Sequence, residues 1–371
     1  MTLELALAVV ALVLAVALGV VLIRHVITVR RFSQHLDSLR EDRDLLVTRV
    51  DELSQQVADT AALTPTGPEI ALIFNPIKNN ADAIRRQVVA AVRDYGFGET
   101  LVLETAADDP GTQMARDARA AGVRRVIAAG GDGTVRTVAE ELAGSAVELG
   151  IIPLGTGNLL ARNLGLPYAD LDACIRIALQ GAPRTIDTLD VRLTHDDGTR
   201  VRHAALVIGG AGLDADVMND TRDDLKAKAG WIAYGEAGIR HLPGQRQDIT
   251  VSMDGGSPRR YKIRSVLVAN CGLLQGGMEL LPKARLDDGL LDVMVLSPRH
   301  VFDWARIAAK TITKHGMKIP IMETHQAQRV QIRFSEPMAS QLDGDATGLV
   351  TRIDARVVPD SLHVMAPSDP A

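Results

Sequence analysis

Aromatic side chains are scarce in this chain of 371 residues: two Trp, four Tyr and five Phe make up 3% of it. So few rings exclude the stacking platforms on which proteins hold single-stranded nucleic acid. An excess of cations is missing as well. The formal net charge is −5, the wrong sign for a phosphate-backbone footprint, so no nucleic-acid partner is expected. Cysteine is almost absent. Cys174 and Cys271 form neither a disulfide framework nor a metal-ligand spacing, which points to a reducing compartment. His195, His203, His241, His300 and His315 show no ligand spacing either, and no internal repeat is present. The richness in Ala, Arg, Val and Asp suits a GC-rich bacterial genome.

Charge is also missing from residues 5–23, an Ala, Val and Leu run long enough to cross a bilayer as a helix. The triplet Ala15-Val16-Ala17 has the look of a signal-peptidase site, but it lies inside the run and no positive charge precedes it. The expectation is therefore a retained transmembrane anchor over residues 1–28. Arg24, His25, Arg30 and Arg31 follow the run while Glu4 precedes it. That asymmetry predicts a single-pass protein of the cell membrane with its catalytic part cytoplasmic.

Residues 32–57 lack glycine and proline, and Leu36, Leu39, Leu46, Val50, Leu53 and Val57 recur at heptad spacing, with Arg43 in the skipped seam position. Residues 29–63 fit a short coiled coil, and hence a homodimer, or equally a single amphipathic helix. Residues 64–68, Thr-Pro-Thr-Gly-Pro, break any helix and form a linker.

From residue 69 strands and helices alternate. Strands are expected over 70–74, 100–104, 123–129 and 148–153, helices over 82–95, 111–121, 134–142 and 169–179. This series predicts an α/β domain over 69–167, a parallel sheet with helices on its faces. Ligands in such sheets bind beyond the carboxyl ends of the strands. Asn75, Thr105, the turn Gly130-Gly131-Asp132-Gly133-Thr134 and the turn Gly155-Thr156-Gly157-Asn158 all fall there. Glycine turns leading into helices can aim backbone N–H groups at phosphate. From 168 to 365 the pattern becomes mostly antiparallel β, with strands at 185–194, 201–209, 248–253, 262–270, 291–296, 329–335 and 351–357 and helical insertions at 220–242 and 298–313. Residues 226–234 mix cations with Trp231 and Tyr234, which suits a lipid interface or a helix packed into the β domain. Residues 366–371 form a tail.

With these residues in view the chain resembles the diacylglycerol kinase catalytic-domain family, in its bacterial lipid-kinase branch. The motifs are Phe74-Asn75-Pro76, the two glycine turns with Ala161-Arg162, Pro282-Lys283-Ala284, Asp287-Asp288-Gly289-Leu290-Leu291-Asp292 and Asp343-Gly344-Asp345. The resemblance implies transfer of the γ-phosphoryl of ATP to a membrane-lipid hydroxyl with Mg²⁺, beside a lipid bilayer. It makes Asn75, Thr105 and both glycine turns the ATP cradle, Asp132 an organiser of phosphates and metal, and Asp345 the carboxylate at the attacking hydroxyl. It also makes the carbonyls of Arg285 and Leu290 with Asp288 a structural Mg²⁺ site; oxygen-only ligation suits a hard cation.

The chain departs from the family's pattern in four places. Ile77-Lys78-Asn79-Asn80 replaces a glycine-containing segment, Thr137 stands where many members carry Glu, Leu159 replaces a common Asp, and Asp345 replaces Glu. Two other readings stay open: a kinase of soluble nucleotides such as NAD, since a single G-G-D-G-T is shared with NAD kinases, and a catalytically weak nucleotide- or lipid-binding module, which the Thr137 and Asp345 departures support.

Overall fold

The computed structural model describes residues 67–78, 80–212, 246–274, 279–300, 302–303, 306–307 and 319–368, and Gly67–Ala371 forms one compact unit. Long apolar runs bounded by turn residues build its first half. The order is β1 Ile70–Phe74, α1 Ala81–Asp94, β2 Thr100–Glu104, α2 Thr112–Ala120, β3 Arg125–Gly130, α3 Asp132–Leu142, β4 Glu148–Pro153, α4 Leu159–Asn163 and α5 Leu171–Gln180. The four strands pair in parallel in the order β4-β3-β1-β2. Every residue of β1 is buried, as a parallel strand covered on both faces must be. Ala71 and Ile73 pack with Ala115 and Val138 on one side. Leu72 and Phe74 pack with Ile84, Val88 and Val92 on the other, three residues one helical turn apart that form the apolar stripe of α1.

The second half is antiparallel: β5 Ala182–His195, β6 Arg200–Ala205, β7 Ile208–Gly212, β8 Gln247–Met253, β9 Arg259–Ile263, β10 Ser265–Ala269, β11 Leu291–Leu296, β12 Met322–Ala327, β13 Arg329–Leu342 and β14 Asp345–Ala366. One strand joins the halves. β14 is 22 residues long, pairs antiparallel with β13 and β5, and near its end lies parallel to β4 through His363↔Glu148 and Val364↔Leu149. A single hydrogen-bonded sheet therefore runs from the nucleotide-type layer into the β-rich layer among the described residues.

Several expectations change in detail. The strand expected over 201–209 is broken between β6 and β7, because the Leu206, Val207 and Ile208 amides bond the Asp343 carboxylate. The strand over 262–270 divides at Arg264 into β9 and β10. Ala366 belongs to β14 and pairs with Ala182.

The expected transmembrane helix is corrected. No helix among the described residues is long and apolar enough to cross a membrane. The longest, α1, has 14 residues, about 21 Å of rise against a hydrocarbon core of about 30 Å, and its outer face is charged. The single-pass membrane location drawn from that helix falls with it. Residues 5–23, the seam over 36–57 and the insertion over 220–242 lie outside the described residues.

One buried cation ties the lower end of the parallel sheet. The Arg125 guanidinium donates to Glu148 at 2.5 Å and to the Ala178 and Leu179 carbonyls at the end of α5, with only 5% of its side chain exposed. Arg125→Met should strand Glu148 and two carbonyls, lowering the urea-unfolding free energy by about 3–5 kcal/mol. Being at the amino ends of the strands, the change should leave the chemistry at their carboxyl ends intact in the folded fraction. A loss below about 1 kcal/mol would refute this account of the tie.

Candidate active site

The carboxyl ends of the parallel strands meet along one edge. The Asn75 amide donates to Ala129 O at 3.2 Å, the Thr105 amide to Phe74 O at 3.0 Å, and the Leu154 amide to Gly130 O at 2.8 Å. Asn75, Thr105, Gly130 and Leu154 thus lie side by side, each ending or following a strand. Thr105 and Thr134 are buried there.

The two glycine turns interlock. Asp132, first residue of α3, accepts the Asn158 amide on Oδ2 at 2.8 Å and the Leu159 amide on Oδ1 at 2.6 Å. Its carboxylate thereby caps the short α4, whose first two orphan N–H groups it satisfies. The approach is so close that side chains are excluded. A Cβ on Gly157 would stand 2.6 Å from Asp132 Oδ2, and one on Gly155 2.8 Å from Gly131 Cα. Asn158, in the left-handed region at φ 49°, closes its own turn: Oδ1 accepts the Gly155 amide at 3.0 Å and Nδ2 donates to Gly155 O at 2.8 Å. Arg162 adds a bond to Gly157 O at 2.6 Å while its guanidinium stacks on Tyr168. Burial pushes the Asp132 carboxyl above its ordinary range, the amides oppose this, and the Asp345 charge adds to the rise.

Asp345 reaches this edge from the second half of the chain. It opens β14 after the turn Asp343-Gly344, and a Cβ on Gly133 would lie 3.5 Å from its Oδ2. The carboxylate pairs with Arg136 Nη2 at 2.7 Å and is half exposed, whereas the Arg136 side chain is 15% exposed. Asp343 is the anchor of the turn. Its buried carboxylate accepts the amides of Leu206 at 2.7 Å, Val207 at 2.9 Å and Ile208 at 2.8 Å. Burial raises its pKa; those amides and Arg136 act against the rise.

The structure therefore gathers Asn75, Thr105, residues 130–134, residues 155–158 and Asp345. Three residues beyond that set belong with them. Lys78 Nζ would stand 3.9 Å from a Cβ on Gly131, placing an ammonium beside the first turn. Arg136 and Asp343 position Asp345. The signal for Lys78 was its place just after Asn75-Pro76, and for Arg136 its place one turn into the helix after the glycines. Nothing local in the sequence pairs Arg136 with Asp345, 209 positions on.

Arg285, Asp288 and Leu290 lie elsewhere, on the loop before β11. Leu286 O accepts the Asp187 amide at 2.7 Å, Asp187 Oδ2 accepts the Gly289 amide at 2.7 Å, and Asp288 Oδ1 accepts the Leu290 amide at 3.1 Å. Asp292 is buried, its pKa pushed up to about 6 by burial and then by the Asp288 charge. Its Oδ2 has no hydrogen-bond partner among the described residues. Between this loop and α4 lies a cavity of about 320 Å³, bounded by Asn163, Leu273, Leu281 and Leu286. Asn163 holds it to the glycine-turn side by donating to Leu273 O and accepting the Leu273 amide, at 2.8 and 3.0 Å.

Comparison with known proteins gives the arrangement a family. Residues 69–191 match the diacylglycerol kinase catalytic domain, and residues 188–366 match the YegS C-terminal NAD kinase beta sandwich-like domain. A protein of Stenotrophomonas maltophilia that bears a YegS-like lipid-kinase name is 34% identical over 76% of this chain and 90% of its own length. The diacylglycerol kinase of Bacillus subtilis is 28% identical over 81% of this chain and 97% of its own length. The crystal structure of a Bacillus anthracis diacylglycerol kinase shares the fold, with a TM-score of 0.65 at 21% identity, over 81% of this chain and 98% of the other. The order of the motifs, the two-layered sheet and these likenesses agree: the chain belongs to the diacylglycerol kinase and YegS-like family and is a lipid kinase, with ATP as its co-substrate.

Proposed function

We propose that the chain transfers the γ-phosphoryl group of ATP to the hydroxyl of a membrane lipid such as diacylglycerol, with Asp345 as the carboxylate beside the attacking oxygen. The observation that carries this reading is the placement of a half-exposed carboxylate directly over Gly133, at the head of the helix that follows the first glycine turn. Phosphoryl transfer asks a protein mainly for position and charge compensation. The interlocked glycine turns supply position. Lys78 and Arg136 supply cationic charge on the side where phosphates would lie. Arg136 holds only Oδ2 of the half-exposed Asp345 carboxylate, so an incoming hydroxyl can bond the other oxygen. The cavity beside Asn163, lined by Leu273, Leu281 and Leu286 and also by Arg184, Glu279, Arg285 and Asp287, offers room for part of the acceptor. Asp132, with both oxygens on amides of the second turn, acts on the nucleotide by keeping the two turns in register.

Mg²⁺ belongs to the same reading. At the loop before β11 the donor set is oxygen alone, and Asp292, hydrogen-bonded by Gln326, still keeps its buried Oδ2 without a partner while feeling the charge of Asp288. Asp288 with the carbonyls of Arg285 and Leu290 would hold a divalent cation there, which would neutralise that charge and fix the loop. The binding-module reading rests on the departures at Thr137 and Asp345, and the NAD-kinase-like reading on the first glycine turn, which such kinases share; the Arg136–Asp345 pair bears on the former by orienting the shorter carboxylate.

Three outcomes follow for the purified protein with a short-chain diacylglycerol in mixed micelles. Asp345→Ala should lower kcat by about 10²–10⁴-fold with the KM for ATP nearly unchanged, since a group needed in the transition state acts on kcat. An unchanged kcat would remove Asp345 from the chemistry. Arg136→Gln should lower kcat by up to about 10²-fold by releasing Asp345, with Arg136→Lys recovering part; equal kcat for all three forms would show the ion pair to be incidental. Added Mg²⁺ should raise the melting temperature of the wild type more than that of Asp288→Ala, because a bound ion stabilises only the folded form. Equal shifts would exclude the site.

A further inference from the structure

The outer face of the β-rich sheet concentrates cations in a chain whose net charge is −5. On β5, β6, β13 and β14 the alternate residues Leu189, Val191, Ala205, Val330, Ile332, Ile353 and Ala355 point into the core. Their neighbours therefore point outward. Among those neighbours are Arg192, Arg200, Arg202, Arg329, Arg352 and Arg356, which line a hollow of about 350 Å³ with Asp190 and Asp354. Asp190 is spread over several of them, at 2.7 Å from Arg202, 2.8 Å from Arg356 and 3.5 Å from Arg192, and Asp354 serves Arg352 at 2.8 Å. Two carboxylates line the hollow against six guanidinium groups, and the charge of Glu140 on α3 also reaches Arg202. Arg200, and Arg333 beyond the hollow, make no side-chain hydrogen bond or ion pair with any described residue, and Arg329 meets Asp354 only through the longer-range effect of its charge.

The register adds an independent observation. Arg192 stands directly opposite Arg202, Arg329 opposite Arg356, and Arg333 opposite Arg352. Like charges directly opposite one another destabilise a sheet, and Asp190 and Asp354 offset only part of that cost for the three pairs. An anionic ligand relieves that cost, and guanidinium groups suit phosphate because their planar fork binds it bidentately. The row continues across the sheet from Arg333 through Thr250 to Arg260, so the cationic strip crosses six strands and exceeds what one small anion occupies.

We propose that this face docks the protein on a surface of anionic phospholipid head groups. The choice of lipid over other polyanions rests on the lipid-kinase reading, since a kinase whose acceptor lives in a bilayer must come to the bilayer surface. The docking is peripheral and electrostatic. It lies away from the catalytic edge, since β14 runs seven residues from Asp345 before it reaches Arg352. It places head-group phosphates against Arg200, Arg329 and Arg333 and leaves the carboxylate-paired arginines as the floor of the hollow.

The test uses Gly67–Ala371, one compact unit that holds all three apolar clusters, in sedimentation with phosphatidylglycerol vesicles and with phosphatidylcholine vesicles. Wild type should bind the first and not the second, with binding lost as salt rises. The triple variant Arg200→Gln/Arg329→Gln/Arg333→Gln should bind about fivefold more weakly per arginine removed, on the order of 100-fold in all, with a melting temperature no lower than that of the wild type, since it relieves two of the opposed pairs. Arg333→Glu alone gives a second reading if the triple variant folds poorly. Equal binding by wild type and variants, or no preference for the anionic vesicles, would overturn the proposal. A DNA duplex bound as tightly as the vesicles would assign the face to nucleic acid. Stabilisation by inorganic phosphate without vesicle binding would assign it to a soluble anion. Transfer to short-chain lipid in neutral micelles, measured in parallel, should be the same for wild type and triple variant. Its absence from both would count against the proposed reaction and leave the docking result standing.

Discussion

The carboxylate of Asp132 is the constraint on which the site depends. A buried carboxylate costs free energy unless its lone pairs are met, and here two backbone amides from the second glycine turn meet them. The consequence is geometric. Gly155 and Gly157 can be nothing larger, because the chain passes within contact of Asp132 and Gly131. Asn158 takes up its left-handed conformation in the same turn. Two motifs some twenty residues apart are therefore one object, and each strand beneath them ends where it must to supply it. That explains why the glycines come as a set.

A second dependence runs through β14. Asp345 begins the strand, its middle pairs with β13 and β5, and its end lies against β4. The carboxylate at the site is thus fixed from two directions: by Asp343 bonded to the 206–208 amides, and by a strand whose far end is part of the parallel layer. Glu140 of α3 adds a further tie by accepting the Ala204 amide at 3.0 Å. Rotation of one layer against the other would carry Asp345 away from Gly133 and strain all of these bonds together. The rigidity that catalysis by positioning needs comes from sheet continuity.

The strands with apolar runs bounded by turn residues were legible in the sequence, most plainly where burial on both faces leaves no other pattern, as in β1 and β11. Ile70–Phe74, Thr100–Glu104, Glu148–Pro153 and Leu291–Leu296 are strands with the bounds that pattern gives. The convergence of Asn75, Thr105 and the two glycine turns followed from the rule for parallel sheets. What the sequence hid was set by distant partners. The break between β6 and β7 is imposed by Asp343, more than 130 positions away. The fixing of Asp345 depends on Arg136, and the asset at Lys78 is visible only once the chain folds it back beside Gly131. The expected membrane span was drawn from an uncharged run alone, and nothing among the described helices has the length for that role.

Net charge says nothing of where the charges lie. A total of −5 spreads evenly only if charge is placed without regard to the fold, and a strand of period two sorts residues onto faces. Arg200-x-Arg202, Arg329-x-x-x-Arg333 and Arg352-x-x-x-Arg356 each put their arginines on the side opposite the core. The acidic majority then falls elsewhere, and a chain that is anionic in sum carries a cationic wall. Such a wall acts at short range, within about 10 Å at moderate salt, where the local face counts and the total does not. The alternation that locates the core therefore also locates the charged surface, and the composition of the whole chain bears on neither.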